Sequence, residues 1–160
     1  MAACAAAHPD VPLRLRFVGQ VSNELRSQIA RAGLLPITEF IAFVPHDKSV
    51  EYLLEASALL MAIPDVPRNF GILPGKVFEY LAANKPILCI GPAGSDADHL
   101  LQECGAGQAL PYENTALMRD TLEAMVARWH INPNLDLPAV SHTRYSRRAL
   151  AGQLAKLVNE

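Results

Sequence analysis

The chain has 160 residues, half of them apolar, under a fifth charged, and a net charge of only −2. That size and balance fit one globular domain with a real core and exclude a disordered segment. No basic stripe suits nucleic acid, and three cysteines at wide spacings (Cys4, Cys89, Cys104) suit neither a disulfide framework nor zinc. A reducing cytoplasm fits that usage.

The opening Met1–Ala7 lacks the cationic start of a signal peptide and is too short to span a membrane. It reads as the tail of an alanine-rich helix stopped at His8-Pro9. Leu13–Val18 is a predicted strand, and Ser22 caps a helix through about Ala32 that ends at Gly33. Glu39–Val44 is the second strand. Asp47 or Lys48 opens a helix through Glu55, with Val50, Leu53 and Leu54 as its apolar stripe. Ala58–Ile63 is nearly continuous in apolar residues, as in a strand covered on both faces. Pro64–Leu73 is the longest loop, and Pro74–Ala83 is a helix. Pro86–Ile90 is a strand holding Cys89 as a small buried hydrophobe. A helix from Ser95 or Asp96 to Cys104 follows, then the short strand Gln108–Leu110 and a helix Asn114–Trp129 with Trp129 in the core. Asn132–Pro138 is a polar connector, and a last helix runs from about Thr143 to Val158.

Short apolar strands alternating with helices specify an α/β fold. The expected architecture is a doubly wound parallel sheet (Rossmann-like), with helices on both faces and the C-terminal helix appended. Residues 1–160 form a single partial domain of this type, with 139–160 as the C-terminal helix. Ligands of such sheets sit at the carboxyl ends of the strands, here the loops after Gly19, Val44, Ile63 and Ile90.

Chemistry concentrates in Leu73-Pro74-Gly75-Lys76-Val77-Phe78-Glu79-Tyr80. Pro74 suits a helix start, Gly75 permits close approach of backbone to a ligand, and first-turn amides favour a phosphate. Lys76 in that first turn opposes the helix dipole unless an anion binds there. The backbone amides of Leu73, Gly75 and Lys76 are candidate phosphate donors, with Arg68 as a second cation or an ordinary loop charge. Glu79, one turn further in, is an inward-looking carboxylate able to accept both hydroxyls of a ribose. Val44, Pro45 and His46 fall where a base would stack or meet main chain. Asp96-Ala97-Asp98 has the look of a metal motif, but it opens a helix, where acids complement the dipole. His8, His99, His130 and His142 lack ligand spacing, no Ser-His-Asp or Cys-His pattern occurs, and no catalytic residue is assigned. Arg144, Arg147 and Arg148 form a solvated basic face or a weak anchor for an anionic leaflet.

The run Pro74-Gly75-Lys76-x-x-Glu79-Tyr80-Leu81-Ala82-Ala83-x-Lys85-Pro86-Ile87 resembles the nucleotide-sugar segment of GT-B glycosyltransferases of family 4, or group 1. The likeness extends to Leu15–Gly19, Phe43–Asp47, Ala56–Pro64, Gly105–Gly107 and Tyr145–Arg147. It implies a donor-binding domain for a nucleoside diphosphate sugar of UDP or GDP type, with Glu79 on the ribose and no bound metal or cofactor. The first glutamate of the family's pair would fall at Gly71, so this chain lacks it. The likeness further implies a C-terminal domain that starts after the family's Arg/Lys diphosphate loop, lacks the N-terminal GT-B domain, and shows no turnover alone. The parent would act in polysaccharide biosynthesis on a glycan or lipid-linked acceptor, in the cytoplasm, with peripheral membrane contact at the inner face. A sugar-nucleotide epimerase fragment, a receiver-type module and a non-catalytic nucleotide- or partner-binding module are the other readings. The receiver lacks its acidic pair after the first strand.

Overall fold

The computed structural model describes residues 1–133 and 142–158. Among the described residues seven α-helices and five strands alternate. The chain is α/β, its strands pair in parallel, and helices flank them in a Rossmann-like manner. The strands form two ladders, of two and of three strands, where the sequence suggests one sheet. The chain divides accordingly into two compact units. One comprises Met1–Glu55 with Ala116–Pro133; the other comprises Ala56–Thr115 with the described part of 134–160.

The first unit starts with helix α1 (Ala2–Ala7), which the run of alanines favours. Strands β1 (Leu15–Val18) and β2 (Thr38–Ile41) pair directly, Phe17 opposite Phe40 and Arg16 opposite Glu39. The two rings stack at 5.7 Å, and the Arg16 guanidinium meets Glu39 at 2.8 Å and Glu55 at 3.2 Å. Cross-strand partners of complementary kind thus hold the register. Helix α2 (Asn23–Arg31) begins where the sequence places it: Ser22 Oγ accepts the Leu25 amide at 3.2 Å. It stops before Gly33, whose φ of +70° suits glycine. Helix α3 (His46–Glu55) follows β2; Val50 and Leu53 are half-buried, but Leu54 is exposed.

The second unit holds strands β3 (Leu59–Ala62), β4 (Ile87–Ile90) and β5 (Gly107–Leu110), with β4 central. Between them lie α4 (Lys76–Ala82) and α5 (Asp96–Glu103). Met61, Ile63, Val77, Ile87, Cys89, Leu101 and Leu110 are fully buried here, as the unbroken apolar runs require. Burial raises the Cys89 thiol to about 11, an inert sulfur at neutral pH.

Helix α6 (Thr115–Ile131) returns to the first unit, where Leu122 and Val126 pack with Cys4, Met1 and Val11. Trp129 is half-buried rather than a core residue, its ring edge-on to His130. The expected last helix is broken: a 3₁₀ turn at His142–Tyr145 precedes α7 (Arg147–Val158). Arg144 of that turn pairs with Glu103 and lies over the Tyr145 ring, so this arginine is tied down rather than merely solvated. Residues 139–141 and 159–160 of the expected C-terminal helix, and most of the 132–138 connector, lie outside the described residues. No helix among the described residues is long and apolar enough to cross a membrane.

Candidate functional site

Strands β3 and β4 are direct parallel neighbours, so the loops leaving their carboxyl ends emerge side by side. The loop after β3 runs through residues 63–75 and is held internally. Asn69, almost fully buried, donates from Nδ2 to Pro64 O at 3.1 Å and to the Tyr112 hydroxyl at 3.0 Å. That hydroxyl in turn donates to Ile63 O at 2.9 Å. Burial and the nearby Asp65 carboxylate push the Tyr112 phenol upward, which keeps it a donor. The loop contains a 3₁₀ turn at Asn69–Gly71, entered through Arg68 in left-handed backbone (φ +62°, ψ +33°). A non-glycine residue there costs about 1 kcal/mol. The surrounding hydrogen bonds hold it.

The loop delivers the chain to α4. Val77 and Leu81 are buried, while Lys76 and Glu79 lie on the exposed side. Glu79 therefore faces solvent, not the interior as the sequence suggests: it stands two residues from both Val77 and Leu81, about 200° around the helix from their stripe. Tyr80 lies between these faces and donates its hydroxyl to Leu60 O at 3.3 Å, which fastens α4 to β3. Burial, then the Glu79 charge, raises its phenol above the ordinary value. Lys76 Nζ lies 5.9 Å from the Tyr80 ring centroid. Lys76 and Glu79 are spaced i, i+3, yet neither has an ion-pair partner among the described residues. Both charges remain available to a ligand.

The start of α4 differs from a long phosphate-binding helix. Pro74 is outside the helix, no side chain caps it, and Val77 N–H bonds Pro74 O at 2.9 Å. With seven residues, α4 offers little macrodipole. Attraction for a phosphate there rests on Lys76 and on the individual amides of Leu73, Gly75 and Lys76.

The second unit thus carries Arg68, Leu73, Pro74, Gly75, Lys76 and Glu79 on one loop and the helix it feeds. Val44, Pro45 and His46 belong to the first unit, at the carboxyl end of β2, with His46 as the first residue of α3. The first unit also has an open groove of about 670 Å³ bounded by Gly19–Ser22, Arg26, Ala42 and Phe43; none of the residues expected to bind nucleotide lines it.

The Asp-x-Asp motif divides into two roles. Ser95 Oγ caps α5 by accepting the Asp98 amide at 3.2 Å. The Asp98 carboxylate, almost fully buried, accepts from Gly94 N and Ala109 N at 2.8 Å and from Gln102 Nε2 at 2.9 Å. It joins the loop after β4, helix α5 and strand β5. Burial alone would raise this carboxyl, but the amides of Ala109 and Gly94 and the Gln102 side chain outweigh it, and the pKa falls below the ordinary value. Sequence reasoning missed this role, since an acid at N3 reads as a dipole complement. Asp96 is exposed. Among the described residues no group of three or more His, Cys, Asp or Glu is placed to hold a metal ion.

Comparison with protein-family models finds none that matches the chain, and comparison with curated proteins likewise finds no match.

Proposed function

We propose that the chain is the donor-binding part of a GT-B-type glycosyltransferase and binds a nucleoside diphosphate sugar through its second unit. The observation that carries this reading is the pairing on α4: an unpaired cation, Lys76, and an unpaired carboxylate, Glu79, one turn apart on its exposed side. The sequence around them, Pro74-Gly75-Lys76-x-x-Glu79-Tyr80-Leu81-Ala82, is the segment that resembles group 1 transferases. Glu79 accepts two ribose hydroxyls, as a carboxylate with two oxygens can. Lys76 and the amides of Leu73 and Gly75 take the diphosphate, with Arg68 as a second cation. Stabilising the departing diphosphate as the anomeric carbon gains positive charge is the electrostatic task of such a site. The parent protein would work at the cytoplasmic side of a membrane, with an acceptor-binding domain closing over the donor.

Calorimetric titration of the chain with UDP, GDP and ADP, beside Glu79→Ala, tests this. At least one diphosphate is expected to bind below millimolar, and losing the charged acceptor should weaken it about tenfold or more. No binding by any of the three, or an unchanged affinity in Glu79→Ala, refutes the assignment.

A further inference from the structure

We propose that the Tyr112 hydroxyl, acting through Asn69, is a positioning group that holds the loop after β3 in the shape that binds the donor, an inference that rests on the donor-site reading above. Tyr112 follows β5, which lies across the central strand β4 from β3. Its hydroxyl nevertheless reaches the loop after β3. It accepts from Asn69 Nδ2 at 3.0 Å and donates to Ile63 O at 2.9 Å, with Pro64 O 3.2 Å away. Asn69 Nδ2 gives its other proton to Pro64 O at 3.1 Å. One phenol and one amide thus join the end of β5 to both the start and the middle of the loop.

Among the described residues of the loop, 64–75, Asn69 alone is buried; Ile72 and Pro74 are half-buried and the others are exposed. The exposed set includes Arg68, and the loop ends on Lys76, the other proposed diphosphate cation, which opens the helix that carries Glu79. Arg68 directly precedes Asn69 and holds left-handed backbone (φ +62°), which a non-glycine residue keeps only where its surroundings fix it. Without the Tyr112 hydroxyl, Asn69 keeps one of its two side-chain hydrogen bonds, and Arg68 is released toward ordinary backbone. A ligand must then order the loop as it binds, and that ordering lowers affinity. Apolar packing at position 69 could bury as much surface, but it has no direction. Hydrogen bonds with defined angles fix the orientation of the loop as well as its depth.

Titrate the full chain with UDP, GDP and ADP, then repeat with Tyr112→Phe, which keeps the ring, with Asn69→Ala and with the double variant, each shown folded by circular dichroism. For the diphosphate that binds, Tyr112→Phe is expected to weaken affinity about tenfold. The double variant should bind little more weakly than Asn69→Ala, since both changes act through one network. Tryptic cleavage after Arg68, followed without ligand, should be about tenfold faster in Tyr112→Phe than in the parent chain. A role in stability alone would leave the affinity of the folded chain unchanged. Unchanged affinity, unchanged cleavage or additive losses each overturn the inference, while the Glu79 assignment still stands on Glu79→Ala. If none of the diphosphates binds, the donor-site reading falls and this inference falls with it.

Discussion

Replacing Asp98 by alanine is expected to destabilise the second unit by about 3 kcal/mol, because the buried Ala109 amide and the half-buried Gly94 amide both lose a charged acceptor. The Gly94 and Ala109 N–H groups each meet this carboxylate at 2.8 Å, and it has no ion-pair partner among the described residues. Thermal unfolding should report the loss as a fall of roughly 10 °C. The same carboxylate makes stability depend on pH. Its folded pKa lies below the ordinary value, so its contribution is complete above the unfolded pKa near 4 and is lost as pH falls through the folded pKa. Unfolding free energy measured from pH 6 downward should therefore decline less steeply in Asp98→Asn than in the parent chain. Equal slopes would show that the buried carboxylate is not the titrating group.

A second large effect is expected at Gly107. It opens β5 opposite Ile87 of β4, with φ +154°. A Cβ there would come 2.2 Å from Ile87 O, a backbone atom of the central strand that cannot swing aside. Alanine must displace β5 from β4, at a cost of about 3 kcal/mol or more, the upper range for overpacking. Gly152→Ala is the matched control. Its Cβ would meet nothing within 4 Å inside α7, so the substitution should be neutral or mildly stabilising through helix propensity. Denaturation midpoints of the two variants separate these outcomes. A Gly107→Ala chain as stable as Gly152→Ala would contradict the close β4–β5 approach.

Features encoded by neighbours in sequence were legible before any coordinates. Ser22 announced the start of α2, Ser95 or Asp96 that of α5, and Gly33 the end of α2. The apolar runs at β3 and β4 announced strands covered on both faces, and Met61 and Cys89 are indeed fully buried. Lys76 and Glu79 could be placed one turn apart because helical spacing is fixed.

Illegible were bonds made over long sequence separations. Tyr112 reaches back to Ile63, and Asn69 to Tyr112, giving the loop after β3 a rigidity that its proline-rich sequence did not announce. Asp98 looked like a dipole complement until the Ala109 amide, eleven residues on, was found at its carboxylate. Trp129 misled in the opposite sense. Its size suggested core, but it falls near the end of a long helix and is half-buried, edge-on to His130. At the site, the depth of Glu79 was misjudged: Val77 and Leu81 claim the buried side of α4, and that leaves Glu79 facing out.

Glu79 gripping a ribose is the central proposal, and a four-cornered binding measurement tests it most directly. Affinities of the parent chain and of Glu79→Ala are determined for the ribonucleoside diphosphate that binds and for its 2′-deoxy counterpart. The parent chain should prefer the ribonucleotide about tenfold, as expected for one hydrogen bond to a charged acceptor. Glu79→Ala should bind the two sugars alike. A preference that survives the substitution undiminished would place the ribose elsewhere and contradict the account.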